Sequence, residues 1–229
     1  MLLAVDTSTA RLGLALYNGE QLLAESIWVS RARHTAELAP ALNELFQRTG
    51  VAIGEIQALG VALGPGSFTS LRVGLAFVKG LALARNLPLV GVQTLDVVAA
   101  SQPWSRLPFA AVLPAGRGRL CVGWYKTIDK IKKPKGSPSV MTAGELSGVI
   151  VRPAIVCGEL QADERETLSR NIHITLPSPA ECVRRPGILA ELAYRRWQAG
   201  KIDNPAALAP IYLHVGEPLP EFSSGGRPA

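Results

Sequence analysis

The chain has little of what a metal site or a nucleotide site usually requires. Its three histidines are scattered and form no H-x-x-x-H or H-E-x-x-H pair, so we expect no metal site. Neither the G-x-x-x-x-G-K-[ST] loop nor the G-x-G-x-x-G loop occurs, and neither nucleotide-binding motif is therefore predicted. The G-x-S-x-G elbow is missing as well. No nucleophile, base and orienting acid can be combined into a peptidase.

Cysteine is rare, and long hydrophobic runs are missing. The odd number of cysteines suits a reducing compartment with buried thiols; they are Cys121, Cys157 and Cys182. The most apolar segment, 71–84, contains Arg72 and Lys79 and is too short to span a bilayer. Asp6 ends the N-terminal apolar run, so no secretory signal is expected. With 48% hydrophobic and 18% charged residues, we expect a globular cytoplasmic protein without a membrane segment.

Hydrophobic patterning predicts an α/β protein in two similar halves. The first half follows the order βββαβαβα, with strands at 2–5, 12–17, 21–28, 59–63 and 89–92 and helices at 34–47, 68–85 and from Thr94. The second half repeats this order in degraded form, with strands at 109–113, 120–125, 153–157 and 172–176. Its helices are predicted after Thr142, at 162–170 and at 179–198, the last with an interruption at Pro186-Gly187. We therefore predict lobes at 1–100 and 101–215, followed by a flexible tail at 216–229.

The segment GPGSFTSLRVG, residues 64–74, joins a predicted buried strand to a long apolar helix. Pro65 presets one φ angle, and Gly64 and Gly66 allow backbone conformations forbidden to other residues. Ser67 can accept a hydrogen bond from the first turn of the helix. We interpret the segment as a structural turn with an N-cap. The alternative is a glycine-rich loop whose amides bind an anion.

The two longest helices of the first half predict a partner surface. Helix 34–47 has a wide apolar band, and helix 71–84 is apolar nearly all round. Because a sheet covers only one face of a helix, we predict an exposed apolar patch made by both helices. The alternative is a helix buried fully between the sheet and its neighbour. The residues assigned to the partner surface are Leu38, Leu42, Leu45, Leu71, Leu75 and Val78.

The formal charge of +6 is concentrated in one stretch. Residues 117–135 contain seven Lys or Arg side chains and the single acid Asp129. We favour a solvated hairpin edge, on which lysines discourage strand pairing. The alternative is a surface that contacts the phosphates of a nucleic acid. The candidate contacts are Lys130, Lys132, Lys133 and Lys135.

Two motifs stand out in the first half, Asp-Thr-Ser-Thr at residues 6–9 and the eleven-residue block at 64–74. Together they resemble the bacterial TsaB (YeaZ) family of the actin-like superfamily. The resemblance covers residues 1 to about 100 well, and the segment 205–213 looks like the closing segment of the family. It implies a two-lobed actin-like (RNase H-like) fold, each lobe a mixed sheet with helices in βββαβα order.

The sequence departs from the family pattern at three positions. Ser70 replaces a usual glycine, Pro114 replaces an Asp, and Arg119 replaces a Glu. Two acids are thereby lost where metal–nucleotide chemistry would need carboxylates. The remaining residues Asp6, Thr7 and Ser8 are interpreted as a vestigial nucleotide loop in which Asp6 serves as a turn acceptor. No cofactor is expected.

The resemblance implies a non-catalytic subunit of the tRNA N6-threonylcarbamoyladenosine modification complex. Its implied partners are the TsaD-type catalytic paralogue and the TsaE-type ATPase, with tRNA reached through the complex and the four lysines as candidate tRNA contacts. In the family the paralogue docks on the two first-lobe helices, and a homodimer can use the same surface. The alternative hypothesis is an autonomous ATP-binding or ATP-hydrolysing enzyme of the actin-like superfamily.

Overall fold

Two mixed sheets form the framework of the protein in a computed structural model that describes residues 1–30, 33–129 and 131–212. Lys130 and the predicted tail 216–229 lie outside the described residues. The first half contains β1 (Leu2–Asp6), β2 (Arg11–Tyr17), β3 (Leu22–Val29), α1 (His34–Thr49), β4 (Ala58–Ala62), α2 (Phe68–Arg85), β5 (Leu89–Val92) and α3 (Thr94–Ala100).

The second half repeats much of this pattern. It contains β6 (Phe109–Pro114), β7 (Leu120–Ile128), β8 (Ile131–Pro134), β9 (Ser139–Met141), α4 (Ala143–Val149), β10 (Ala154–Gly158), α5 (Ala162–Ser169), β11 (Ile174–Thr175) and α6 (Pro186–Gln198). The predicted α/β fold class is confirmed, but the sequence did not predict β8 and β9, which both pair with β7. Of the helix predicted at 179–198, only the part from the predicted interruption at Pro186-Gly187 onward is helical, because Pro186 occupies the first turn of α6.

Strand order is β3-β2-β1-β4-β5 in the first sheet and β11-β10-β6-β7-β8 in the second, where β9 also pairs with β7. In each sheet an antiparallel hairpin is extended by parallel strands. Thus β1 runs antiparallel to β2 and parallel to β4, while β6 runs antiparallel to β7 and parallel to β10. The carboxyl ends of β1 and β4 therefore lie at one edge of the first sheet, where the 6–9 and 64–67 turns meet.

Alternation along β1 divides the first core between two faces of the sheet. Leu3 and Val5 pack with α1 and α2 on one face, whereas Leu2 and Ala4 pack with α6 on the other. The second sheet is covered by α3 on one face and by α4 and α5 on the other. Both sheets are thus buried on two sides, and α3 and α6 lie between them.

The predicted extent of the second lobe needs correction at its C-terminal end. Helix α6 packs across β1, β2, β4 and β5 of the first sheet, although it follows the second sheet in the chain. After α6, Asp203 pairs with Leu89, and the Ile211 amide donates to the Leu63 carbonyl at 2.7 Å. Residues 186–212 therefore belong to the first lobe. The prediction of a second lobe at 101–215 is wrong for this segment, because hydrophobic period alone does not show which sheet a helix covers.

The six apolar residues assigned to a partner surface are buried by the chain itself. Their exposed fractions are 6% or less, and all but Leu71 belong to the core cluster of the first sheet. Their spacing of three and four residues places them on one side of each helix, and that side faces the sheet. The assignment of Leu38, Leu42, Leu45, Leu71, Leu75 and Val78 to an exposed surface is wrong.

Candidate functional site

The turn after β1 is buried and its polar groups bond within the chain. Asp6 Oδ1 accepts a 2.9 Å hydrogen bond from the Ser8 amide. Thr7 Oγ1 donates to the Ser70 carbonyl at 2.7 Å, and Ser8 Oγ lies 2.8 Å from Thr94 Oγ1. The residues predicted as a vestigial nucleotide loop, Asp6, Thr7 and Ser8, are each at most 2% exposed. The hydroxyls of Thr7 and Ser8 therefore bind this turn to the starts of α2 and α3.

The glycine-rich turn packs directly onto this first turn. Gly64 has φ +107°, and its amide donates to Thr94 Oγ1 at 2.9 Å. The Ser67 amide donates to the Ser8 carbonyl at 2.7 Å. A Cβ on Gly66 would lie 2.0 Å from that same carbonyl oxygen. Glycine is therefore required at position 64 by the positive φ angle and at position 66 by the close approach of the Ser8 backbone.

The start of α2 has the expected N-cap. Ser67 has extended backbone angles, and its Oγ accepts a long 3.5 Å hydrogen bond from the Ser70 amide and a 3.0 Å bond from Ser70 Oγ. Gly74, one turn further, approaches Thr7 so closely that a Cβ would lie 2.1 Å from Thr7 Oγ1. The block 64–74 is thus built to fit the 6–9 turn. These contacts support the interpretation as a structural turn.

A buried ionic cluster joins the two lobes at Asp6. The Arg184 guanidinium lies just before α6 and donates to the carboxylates of Asp6 and Glu159. Its Nη2 also donates to Thr9 Oγ1 and to the Arg11 carbonyl, both at 3.2 Å. The side chains of Arg184 and Asp6 are 1% and 2% exposed. Since Asp6 is the last residue of β1 and Glu159 follows β10, one arginine links both sheets.

Two negative charges offset the cost of burying the positively charged Arg184 guanidinium. Burial alone lowers the pKa of a guanidinium, but the negative charges of Asp6 and Glu159 outweigh it and raise the pKa of Arg184 above its usual value. Both oxygens of Asp6 are occupied, one by Arg184 Nε and the other by the Ser8 amide and Arg184 Nη2. Asp6 is therefore not presented to a metal ion. Sequence reasoning missed Arg184 and Glu159 because no local pattern links residues so far apart.

A cleft of about 560 Å³ lies between the lobes in front of this cluster. Pro65 and Ser67 line one wall, and Pro114 and Gly116 line the other. Two ionisable side chains line the cleft, Glu159 and Cys121. Glu159 is bonded to Arg184, and burial raises the pKa of Cys121 to about 12. Within the described ranges, no three His, Cys, Asp or Glu side chains come together as metal ligands.

The outer side of α2 carries apolar residues away from the sheet. A groove of about 460 Å³ between α1 and α2 is lined by Phe68, Val73, Ala76 and Phe77, among others. We call these four residues the α2 outer face. Phe68 is 53% exposed, and the Arg72 guanidinium lies 3.6 Å from the centre of its ring. An exposed apolar surface therefore exists on this helix. Of the six residues predicted for it, only Leu38 lines the groove, and Leu38 is itself buried.

The lysines of the basic stretch differ in their surroundings. Lys132 Nζ donates to the Pro103 carbonyl at 2.8 Å and lies 5.0 Å from the centre of the Phe109 ring. Partial burial lowers the pKa of Lys132. Lys133 and Lys135 are exposed, whereas the predicted contact Lys130 lies outside the described residues. Lys132 thus has a structural role in holding the β7–β8 hairpin against the preceding segment.

Lys135 also borders a basic and aromatic cavity of the second lobe. The cavity has a volume of about 620 Å³ and is lined by Arg106, Trp124, Lys126 and Lys135, among others. Trp104 lies beside it, with the Arg106 guanidinium 5.8 Å from the centre of its ring. Aromatic side chains thus accompany the basic residues, which the sequence alone did not indicate.

Comparison with known proteins identifies the family. A family model described as TsaD, tRNA N6-adenosine threonylcarbamoyltransferase, matches residues 22–191. The chain belongs to this family. It is 31% identical over 125 residues to the tRNA threonylcarbamoyladenosine biosynthesis protein TsaB of Bacillus subtilis, covering 55% of each chain. The TsaB of Escherichia coli is 29% identical over 160 residues, which cover 70% of this chain and 66% of the relative.

A solved structure agrees with these matches. YeaZ from Pseudomonas aeruginosa superposes with a TM-score of 0.75 at 24% identity, covering 93% of this chain and 99% of that one. The likeness shows the shared fold. The family match, the curated relatives and this fold together place the chain with the TsaB (YeaZ) proteins of the actin-like superfamily. The matched segments span 55% and 66% of the two curated relatives described above.

The comparisons name a biosynthetic pathway for the relatives, and they assign no role to individual residues. The curated relatives are named for tRNA threonylcarbamoyladenosine biosynthesis. In the part of the chain that the structure describes, no helix has the length and apolar character needed to cross a membrane.

Proposed function

We propose that the chain is a non-catalytic partner subunit in tRNA N6-threonylcarbamoyladenosine synthesis that scaffolds a TsaD-type catalytic paralogue. The observation that carries this proposal is the engagement of Asp6 by Arg184. The carboxylate at the end of β1 is buried and bonded to a guanidinium, so it has no free oxygen to offer a metal–nucleotide complex. The names of the TsaB relatives support the same pathway.

The α2 outer face supports a docking role for the first lobe. It is apolar and borders the groove between α1 and α2, whose floor includes the core residue Leu38. Phe77 also packs partly against the core, whereas Phe68 and Ala76 are exposed. A partner helix seated in this groove would cover Phe68, Val73, Ala76 and Phe77. We propose this surface as the contact with the TsaD-type paralogue, and the TsaE-type ATPase would join the resulting complex. A homodimer through the same surface would compete with that contact.

A tRNA contact on the second lobe is proposed for the exposed basic residues only. Lys133 and Lys135 extend from the hairpin, and Arg106 and Lys126 surround the same cavity as Lys135. Such side chains attract phosphates, and Trp124 offers a surface on which a base can stack. Neutralising Lys133 and Lys135 together should weaken the binding of tRNA to the complex and reduce its salt dependence. An unchanged salt slope would show that the two lysines are merely solvated.

Co-expression with the cognate TsaD tests the main proposal. The expected result is a stable complex, and threonylcarbamoylation of tRNA by TsaD and TsaE that depends on this chain. Modification at the full rate without the chain, or failure of the two proteins to associate, would contradict the proposal.

The second candidate function is an autonomous ATP-binding enzyme. The open interlobe cleft favours it, as does the enzyme name of the matching family model. Against it stand Pro114 at the cleft wall and the ion pair that occupies Asp6. An autonomous enzyme requires nucleotide binding by the isolated chain, whereas a partner subunit does not.

A further inference from the structure

Two cysteines from distant segments meet behind the interlobe cluster. Cys157 lies in β10, and Cys182 lies in the segment that leads to Arg184 and α6. Their sulfur atoms are 3.2 Å apart, and both side chains are buried. A disulfide bond is about 2.05 Å long, so the sulfurs would need to approach by only about 1.1 Å. The third cysteine, Cys121, lies in β7.

The surroundings of Cys182 favour its thiolate. The Cys157 thiol donates a hydrogen bond to Cys182 Sγ, which lowers the pKa of Cys182, and the Gly158 amide and Arg165 lower it further. The same hydrogen bond raises the pKa of Cys157. One sulfur is therefore set up to react first and the other to follow, because the thiolate is the nucleophilic form of cysteine.

Cys182 also has a route to solvent. It lines a surface cavity of about 230 Å³ together with Arg11, Gln161 and Arg165. A small neutral oxidant such as hydrogen peroxide fits such a space, whereas Cys157 lies deeper in the sheet.

We propose that Cys157 and Cys182 are a redox-active pair that hydrogen peroxide converts into a reversible intramolecular disulfide. The Cys182 thiolate attacks one peroxide oxygen, the O–O bond breaks, and the product is a sulfenic acid plus hydroxide, which takes up a proton as water. Cys157 sulfur then attacks the sulfenic sulfur, the S–S bond forms, and the second hydroxide leaves as water with the Cys157 proton. The two thiols lose two electrons and two protons, and one peroxide becomes two waters.

The disulfide would fix the segment that carries the interlobe residue Arg184. Cys182 is two residues before Arg184, whose guanidinium holds Asp6 of the first lobe and Glu159 of the second. A disulfide would fasten this segment to β10 and restrict the movement of Arg184. Reduction by a dithiol would release it.

The test treats the full chain with hydrogen peroxide, blocks free thiols with iodoacetamide and maps the peptides by mass. The proposal predicts a linked peptide pair containing Cys157 and Cys182, with a mass loss of two hydrogen atoms that dithiothreitol reverses. Alkylation of both thiols after peroxide treatment, a Cys182 sulfinic acid without a link, or a disulfide between two chains would overturn it.

Single variants separate the two sulfurs. Cys121→Ser is the matched control and should retain the linked pair. In Cys157→Ser the sulfenic acid on Cys182 has no partner, so it should be trapped by dimedone, whereas Cys182→Ser should not be labelled. Equal dimedone labelling of both variants would contradict the assigned order. Because the peptide map of the native chain is informative by itself, the test does not depend on the folding of any variant.

Discussion

At the scale of single residues, Arg184 is the side chain on which the interlobe contact depends. It is buried between two carboxylates, one from each sheet, and it also bonds Thr9 and the Arg11 carbonyl. Removing one member of such a cluster leaves charge buried without a partner. The neighbouring residue Arg185 provides a comparison, since its side chain is 50% exposed and pairs with Glu25, whose half-buried carboxylate also accepts from the Gly187 amide.

Arg184→Met should lower the free energy of unfolding by about 3–5 kcal/mol, because Asp6 and Glu159 then lose their buried counter-charge. Arg185→Met should cost less, about 1 kcal/mol, because the guanidinium is half exposed and Glu25 keeps its bond from the Gly187 amide. Urea denaturation of the two variants measures the difference. Equal losses would show that Arg184 does not hold the lobes as described.

Gly66 and Gly80 make a second matched pair. Gly66→Ala places a methyl 2.0 Å from the Ser8 carbonyl and should destabilise the chain by about 1–3 kcal/mol. Gly80 lies exposed on α2, where an added methyl would have no atom within 4 Å, so Gly80→Ala should stabilise by up to about 1 kcal/mol. Thermal unfolding should therefore shift in opposite directions for the two variants. A shift of the same sign in both would contradict the close packing of the two turns.

At the scale of elements, the helix starts could be predicted from the sequence, whereas the side of each helix that packs on the sheet could not. The Ser67 N-cap and the Thr142–Glu145 capping box are short-range patterns, and both are present. Leu42 and Val78 are recognisable from the sequence as apolar helix positions, but their spacing does not say whether the stripe faces a sheet or a partner. Only the position of β1 and β4 beneath the helices determines that both are core residues.

Ala76 and Leu42 distinguish the two sides of the helical pair. Leu42→Glu should lower the free energy of unfolding by at least about 3 kcal/mol, because it places a carboxylate in the core. Ala76→Glu should change it by less than about 0.5 kcal/mol, yet should abolish co-purification with TsaD. Val149→Glu, an exposed change on α4 of the second lobe, is the control and should bind normally. Retained binding by Ala76→Glu would remove the α2 outer face from the interface.

At the scale of the whole molecule, the return of α6 to the first sheet makes the lobes interdependent. Sequence patterning located a helix near the end of the chain but placed it with its neighbours in sequence, since nothing local links α6 with β1. The same reason hid Arg184 and Glu159. Contacts over short separations could thus be anticipated from residue types, whereas those that close the molecule depend on topology.

Removing α6 should therefore unfold the first lobe. A chain ending at residue 185 uncovers Leu2, Ala4 and Val90 on one face of the first sheet, and we expect it to aggregate. A chain ending at residue 212 keeps every contact described above and should remain soluble with a cooperative thermal transition. Circular dichroism and size-exclusion chromatography compare the two. Cooperative unfolding of the shorter chain would show that the first lobe does not need α6.

Our central claim is that this chain is a non-catalytic partner subunit. It rests on the ion pair in which Arg184 occupies the Asp6 carboxylate, so that Asp6 cannot serve a metal–nucleotide complex. Titration of the isolated protein with Mg-ATP in a calorimeter tests that claim most directly, with the TsaE-type ATPase as the positive control. We predict no saturable binding by this chain at micromolar nucleotide. Saturable one-to-one binding in that range would contradict the claim.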